Sequence, residues 1–461
     1  MRQGVICAIS TPPGKGGVAV IRMCGEGAFE IIGETFRPLS GRAITDYPPR
    51  TQIYGYIVDG NERIDDALVS LFPAPNSYTG EQTVEISCHG GALVTRTVLE
   101  CLLTHGAIAA EAGEFTRRAF INGKLSLTEA EAIGDLLEAK SREQLRLASR
   151  PSRERLAQRI EQIRAGLTEL MGSIYARIDY PDEDLGDFTD GESLERLEEI
   201  LADLTRLIDT YRTGRVITEG ISTVICGKPN VGKSSIYNLL LGEDSAIVTD
   251  IAGTTRDLLE KSVPLGRVML NLIDTAGIRQ GEGLDRVEQI GISRSRERLA
   301  DADLILAVFD LSRPLDEEDG ELIRLLDSIP ATKICLLNKA DRAVWEEADI
   351  SSSFEYVLTI SAERDGEKAI SMLEGLIDRL FTDEEISCGR DAIVSSARQH
   401  SALCSARGYV LTAIEAYKSG LPVDLASSDI ELALGAIGEV DGREVSESVV
   451  ADIFSRFCVG K

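Results

Sequence analysis

The segment Gly227-Lys-Pro-Asn-Val-Gly-Lys-Ser234 constrains this chain more than any other. It fits G-x-x-x-x-G-K-[ST], follows the apolar run Thr223–Cys226, and precedes a helix expected from about Lys233. A backbone that curls around phosphate needs glycine at its turns, and its N–H groups then donate to the phosphate oxygens. Lys233 supplies charge to the β- and γ-phosphates and Ser234 a hydroxyl to Mg²⁺, while Asn230, Val231, Gly232 and Ser235 complete the loop. Such a loop works between a strand and a helix. Strand-like and helix-like runs alternate from Val216 to Phe381, the pattern of a parallel, doubly wound sheet covered on both faces.

Three further motifs follow in order, each at the end of an apolar strand-like run, where open α/β sheets bind ligands. LNLIDTAG brings Asp274, Thr275, Ala276 and Gly277; the aspartate can hold Mg²⁺ through water, and the Gly277 N–H can reach a γ-phosphate. ICLLNKAD brings Asn338, Lys339, Ala340 and Asp341, whose carboxylate can accept paired hydrogen bonds from guanine N1–H and N2 amine. Adenine offers no such pair, and unpaired buried groups are costly, so the motif selects GTP. Ser361, Ala362 and Glu363, after the run VLTI, fit the loop that closes over the base.

Between the first and second motifs lies TDIAGTTRD, with Thr249, Asp250, Ile251, Ala252, Gly253, Thr254 and Thr255. This is the switch position, where a hydroxyl completes the Mg²⁺ shell only while the γ-phosphate is present. Ras-type enzymes orient the attacking water with a glutamine after D-x-x-G; here that position is Ile278. Arg256 and Arg279 are nearby cationic candidates. The segment resembles the potassium-activated GTPases, in which Asn230 and the backbone of the TDIAGTT loop would hold K⁺ beside the β- and γ-phosphates.

The rest of the chain has two other textures. From Val5 to Asn122 the runs VAVIR, TQIYGYIV, ALVSLF and TVEISC read as strands, with one helix at Ala92 to Leu103: an α+β domain with an antiparallel sheet. From Leu127 the texture is helical, with Thr128 and Glu131 as a capping box and apolar positions at Ile160, Ile163, Leu167, Leu170 and Ile174. It stops at Tyr180-Pro181, resumes from Ser193 towards Tyr211, and returns over Ala392–Tyr417 and Asp429–Phe457. The expected division is 1–122, 123–215, 216–381 and 382–461, with the α/β domain inserted into one helical domain.

A net charge of −27 excludes general electrostatic attraction to nucleic acid. The best local basic stretch is Arg142–Arg164, laced with Glu143, Glu154 and Glu161, which reads as a solvated helix face. Nine scattered cysteines and three histidines point to reduced thiols, a cytoplasmic location and no structural zinc. No run has the apolar length to span a membrane.

Several stretches then match one family closely. STPPGKGGVAVIR, PNSYTGEQTVEISCHGG, GEFTRRAFINGKLSLTEAEAI and the C-terminal FCVGK, with the motifs above, make the whole chain resemble the tRNA-modification GTPases MnmE, also called TrmE. The resemblance implies an N-terminal folate-binding and dimerisation domain, a helical domain in two segments, and an inserted Ras-like G domain. It implies a homodimer acting with an FAD-containing protein of the MnmG type, as a heterotetramer, on the wobble uridine of tRNA. The product would carry a 5-carboxymethylaminomethyl or aminomethyl group, and the tRNA would be held mainly through the partner.

By the same resemblance Asn230, Thr249, Ile251 and Thr254 are K⁺ ligands, Ser234 and Thr255 are Mg²⁺ ligands, and Glu288 organises the hydrolytic water. Arg256 aligns with a switch arginine of open role. Arg22, Glu85, Lys124 and Lys461 form the implied site for a 5,10-methylene- or 5-formyl-tetrahydrofolate: basic groups for its glutamate tail, a carboxylate for its aminopyrimidine face. Cys458 matches the family's C-terminal cysteine. The competing readings are a ribosome-assembly or RNA-binding regulatory GTPase, and a folate-dependent transferase that its G domain merely regulates.

Overall fold

The computed structural model describes residues 4–179, 190–242, 261–273, 299, 302–345, 350, 352–383, 386, 390–420, 423–443, 446–455 and 457–460. The chain divides into two compact units, Met1–Glu138 with Ile430–Lys461, and Ala139–Asp429.

The first unit is built on a seven-stranded sheet. Its strands are β1 (Ile6–Ile9), β2 (Val18–Cys24), β3 (Phe36–Pro38), β4 (Ile53–Asp59), β5 (Glu62–Phe72), β6 (Thr83–His89) and β7 (Ile108–Ala109), in spatial order β3-β4-β5-β6-β2-β1-β7. All pairs are antiparallel except β1–β7. Period-2 alternation turns Ile21, Met23, Val69, Leu71, Val84 and Ile86 into one core, against Val98 and Leu102 of the helix Ala92–Thr104. The four expected strands and the expected helix are all present.

A second, smaller core joins the helix Leu127–Glu138 to the helix Glu447–Ser455 through Leu127, Ala130, Val450, Phe454 and Phe457. The capping box of the first of these helices lies two residues earlier than the sequence suggested. Ser126 Oγ accepts from Glu129 N at 3.2 Å, and Glu129 Oε2 accepts from Ser126 N at 2.8 Å. Thr128 instead donates its hydroxyl to the Val440 carbonyl, 2.9 Å away. The expected helix over 429–457 is broken at Gly442, whose φ of 85° suits glycine, into Val423–Asp441 and Glu447–Ser455.

In the same unit the C-terminal stretch of the chain lies along residues of the N-terminal segment. Ala112 and Val459 form an antiparallel bridge, and Ser10 Oγ donates to the Gly460 carbonyl at 3.0 Å. Gly460 has a φ of 99°, and a Cβ there would stand 2.6 Å from the Ile9 carbonyl oxygen. Only glycine fits.

The second unit holds a six-stranded sheet of β8 (Ile221–Cys226), β9 (Lys261–Leu265), β10 (Val268–Ile273), β11 (Leu304–Asp310), β12 (Thr332–Asn338) and β13 (Tyr356–Thr359). The order is β13-β12-β11-β8-β10-β9, parallel throughout except for the edge hairpin β9–β10. On β11, Leu304, Leu306 and Val308 face a core with helices Lys233–Leu241 and Gly366–Phe381; Ile305, Ala307 and Phe309 face another with the helix Glu317–Asp327. Both faces are covered, as the alternation of the sequence requires. The strand order reverses between β8 and β11, which puts a ligand crevice at their C-terminal ends. The unit also holds the helices Arg150–Asp179, Asp190–Asp209 and Ala397–Lys418, and the five expected apolar positions from Ile160 to Ile174 are all buried.

Candidate active site

At the end of β8 the chain turns through Gly227, with φ 146°, and a Cβ there would meet the Val308 carbonyl oxygen at 2.5 Å. Gly232, with φ 101°, starts the helix Lys233–Leu241, and its Cβ would fall 2.1 Å from Asn338 Nδ2. The two motif glycines are therefore fixed both by backbone conformation and by close approach of β11 and β12. Between them Asn230 adopts the left-handed conformation, φ 64°, which asparagine tolerates better than most side chains. The Lys233 ammonium donates to the carbonyls of Gly227 and Lys228 at 2.8 and 2.6 Å, so it spans the mouth of the loop. Ser234 and Ser235 lie on the first turn of the helix.

The motif Asn338–Asp341 is tied to this loop by its own first residue. Asn338 is 3% exposed; its Nδ2 donates to the Val231 carbonyl at 3.0 Å, and its Oδ1 accepts from Ala362 N at 3.1 Å. One side chain thus fixes the spacing of three motifs. Lys339 Nζ donates to the Asn230 carbonyl at 2.9 Å and to Asp310 Oδ2 at 2.7 Å. Burial opposes ionisation of Asp310, but hydrogen bonds from Lys339 and Ser312 outweigh it and hold the carboxyl below its usual range. Asp341 sits in the turn Ala340–Arg342, where Ser361 Oγ donates to its Oδ1 at 2.8 Å. Glu363 follows in the same short loop.

Sequence reasoning passed over three supports: Asp310 beneath Lys339, Ser361 as a brace for Asp341, and the pairing of Lys228. Lys228 Nζ lies between Asp316, the N-cap of the helix Glu317–Asp327, and Glu318, the latter at 3.0 Å. All three join residues far apart in sequence, so no local spacing announces them.

In the first unit, β2 and β6 place Arg22 opposite Glu85. Arg22 Nη2 and Nε donate to Glu85 Oε1 at 2.8 and 3.1 Å, and the guanidinium lies 5.5 Å from the Tyr78 ring and 5.8 Å from the Phe115 ring. Two of the implied folate residues therefore form a pair, with the second carboxylate oxygen of Glu85 outside it. Lys124 Nζ donates to the Pro75 carbonyl at 3.1 Å, and its stem passes Gly80. Cys458 is exposed, and its carbonyl accepts from Gly113 N at 3.4 Å.

Thr249, Asp250, Ile251, Ala252, Gly253, Thr254, Thr255, Arg256, Asp274, Thr275, Ala276, Gly277, Ile278, Arg279, Glu288 and Lys461 lie outside the described residues. The arginines of the basic stretch are engaged along their own helices: Arg146 with Glu143, Arg150 with Glu154 and Arg164 with Glu161. Arg146 and Arg150 are exposed, as a solvated face requires, whereas Arg153, Arg155 and Arg164 are half-buried, so the stretch is solvated only in part.

The model of the TrmE N-terminus, described as a GTP-binding protein, matches residues 5–124, and that of the MnmE helical domain matches 127–458. The chain is 39% identical to the tRNA modification GTPase MnmE of Clostridioides difficile (strain 630), covering 99% of both chains. It is 41% identical to that of Thermoanaerobacter sp. (strain X514), again over 99% of both. This chain belongs to the MnmE family. Its sequence similarity to MnmE proteins spans both compact units, not the nucleotide motifs alone. Among solved structures, a variant of Aquifex aeolicus Era bound to GDP.AlF4⁻ is similar at 21% identity over 41% of this chain and 66% of that one, with a TM-score of 0.28. Beside the full-length MnmE relatives that likeness carries no weight. Among the described residues, no helix is long and apolar enough to cross a membrane.

Proposed function

We propose that this chain is a potassium-activated GTP hydrolase that serves modification of the tRNA wobble uridine. The observation that carries the reading is Asn338, which locks the phosphate loop, the base-reading turn and the base-covering loop into one site. Asp341, braced by Ser361, presents acceptors to guanine; Lys233 stands at the phosphate loop, where its ammonium exchanges two carbonyls for phosphate oxygens. The two loop glycines let the phosphate loop lie close against Val308 and Asn338, where a Cβ would clash. Ser234 is assigned to Mg²⁺ and Asn230 to K⁺. These two cations, when bound, supply the positive charge that phosphoryl transfer requires.

Thr255 completes the proposed Mg²⁺ set, and Thr249, Ile251 and Thr254 the K⁺ set. Glu288 is assigned to orient water, and Arg256 to the switch. In the first unit Arg22 orients Glu85, whose outer oxygen meets the aminopyrimidine of a tetrahydrofolate, while Lys124 and Lys461 receive its glutamate tail. The exposed Cys458 lies in the C-terminal run that crosses the same unit. The working assembly is a homodimer joined by an FAD-containing partner, with tRNA held mainly by that partner. The full-length match to tRNA modification GTPases speaks against the ribosome-assembly alternative.

Two measurements test this. Hydrolysis by purified protein should slow greatly when Na⁺ replaces K⁺ while GTP affinity holds; equal rates overturn potassium activation. Nucleosides from tRNA of a deletion strain should lack the modified wobble uridine, and unchanged nucleosides overturn the pathway.

A further inference from the structure

We propose that Asp59, Cys101 and His105 form a site for a borderline-soft divalent cation, Zn²⁺ by its chemistry, at one end of the N-terminal sheet. A carboxylate oxygen, the thiol sulfur and a ring nitrogen of these residues all lie within 4.8 Å of one another. Oxygen, sulfur and imidazole nitrogen together form a donor set that Zn²⁺ takes with a water as fourth ligand. Among the described residues this is the one group of its kind.

Two features favour a cation there. Cys101 and His105 are one turn apart at the C-terminus of the helix Ala92–Thr104, where the carbonyl ends of the peptide dipoles gather. That last turn carries no basic residue, so its negative end has no side-chain counter-charge of its own. The imidazole is also anchored. His105 Nδ1 meets the Cys101 carbonyl at 2.8 Å, and since a carbonyl only accepts, Nδ1 carries the proton and Nε2 the lone pair. Anchoring of one ring nitrogen on a backbone carbonyl is the arrangement found around metal-bound histidines. Nδ1 itself stands 3.9 Å from the sulfur, so the ring lies beside the thiol.

The third ligand comes from the neighbouring strand. Cys101 Sγ lies 3.5 Å from the Val58 carbonyl, beside Asp59 at the end of β4. Between Ile57 and Val58 the β4–β5 register shifts by one residue, Ile64 of β5 being passed over, so the ladder is irregular just before Asp59. A bound ion would clip the end of β4 to the end of the helix and would be remote in function from guanine binding.

The test uses nucleotide-free full-length protein carrying Cys458→Ser, which removes the one thiol exposed among the described residues, and Co²⁺ as the probe. One Co²⁺ per chain should bind with a thiolate-to-cobalt charge-transfer band, and Zn²⁺ should displace it and raise the melting temperature. The band should vanish in Cys101→Ser. His105→Gln and Asp59→Asn, at less buried positions, should fold and bind about tenfold or more weakly, as changes around metal sites do. Absence of the band in folded protein, its survival in Cys101→Ser, or unaltered affinity in both other variants overturns the site.

Discussion

Asp341→Asn isolates the group assigned to reading the base. The substitution keeps shape but exchanges one carboxylate oxygen for an amide NH₂. Ser361 Oγ, 2.8 Å from Oδ1, donates, so the amide oxygen settles on that side and the NH₂ turns to the base. Guanine N1–H keeps an acceptor in the amide oxygen, but its N2 amine meets a donor. One hydrogen bond to a charged group is lost and the other becomes neutral, about 1.5–3 kcal/mol together. The Asp341 side chain is 20% exposed, so water offsets part of the loss. At about 1.4 kcal/mol per decade, GTP affinity should fall by roughly 10- to 100-fold. Xanthosine triphosphate carries a carbonyl at C2, which accepts from the new NH₂, so its affinity should rise to match or exceed that of GTP. Displacement of a fluorescent guanine nucleotide by each competitor measures both constants, with circular dichroism confirming the fold. A variant that keeps the wild-type preference for GTP refutes the role of Asp341.

Three other changes probe the frame around it. Gly232→Ala should destabilise the second unit by about 1–3 kcal/mol, because the new Cβ would meet Asn338 Nδ2 at 2.1 Å and φ is 101°; an unchanged urea midpoint contradicts this. Asn338→Ala leaves the Val231 carbonyl and Ala362 N without their partner, at a cost of about 2–4 kcal/mol, and should weaken GTP binding as the base loop parts from the phosphate loop. Equilibrium unfolding and nucleotide titration together check it. The Asp316 carboxyl is held down to about 2, first by its hydrogen bond from Lys228, so the stabilisation it lends is complete above 3.8 and lost as pH falls towards 2. Lys228→Met should move its midpoint up towards 3.8, read from the carboxyl carbon by NMR; no movement dissolves the pairing.

The strand–loop–helix frame of the phosphate loop was legible in the sequence because each of its constraints is local. Phosphate demands glycines at fixed spacing, and an apolar run before each motif announces a strand. The capping box was harder, because Ser126…Glu129 and Thr128…Glu131 both satisfy the same short pattern. What separated them was tertiary: the Thr128 hydroxyl serves Val440, more than three hundred residues on. The union of Arg22 with Glu85 depends on the register of β2 and β6, and that of Asp59 with Cys101 and His105 on a strand end meeting a helix end. Neither follows from spacing. Cys-x-x-x-His alone lacks a second close pair, which is why scattered cysteines pointed away from a metal.

The bridge between Ala112 and Val459 has a consequence for biosynthesis. Residues 139–429 emerge from the ribosome before Ile430–Lys461 do, an interval of about 15–60 s at about 5–20 residues per second. Throughout that time the nascent N-terminal sheet has its strands but neither the helix that closes its second core nor the tail that covers β1. The apolar face of the helix Leu127–Glu138 at Leu127 and Ala130 is then open to chaperones, and truncation before Ile430 leaves it permanently so.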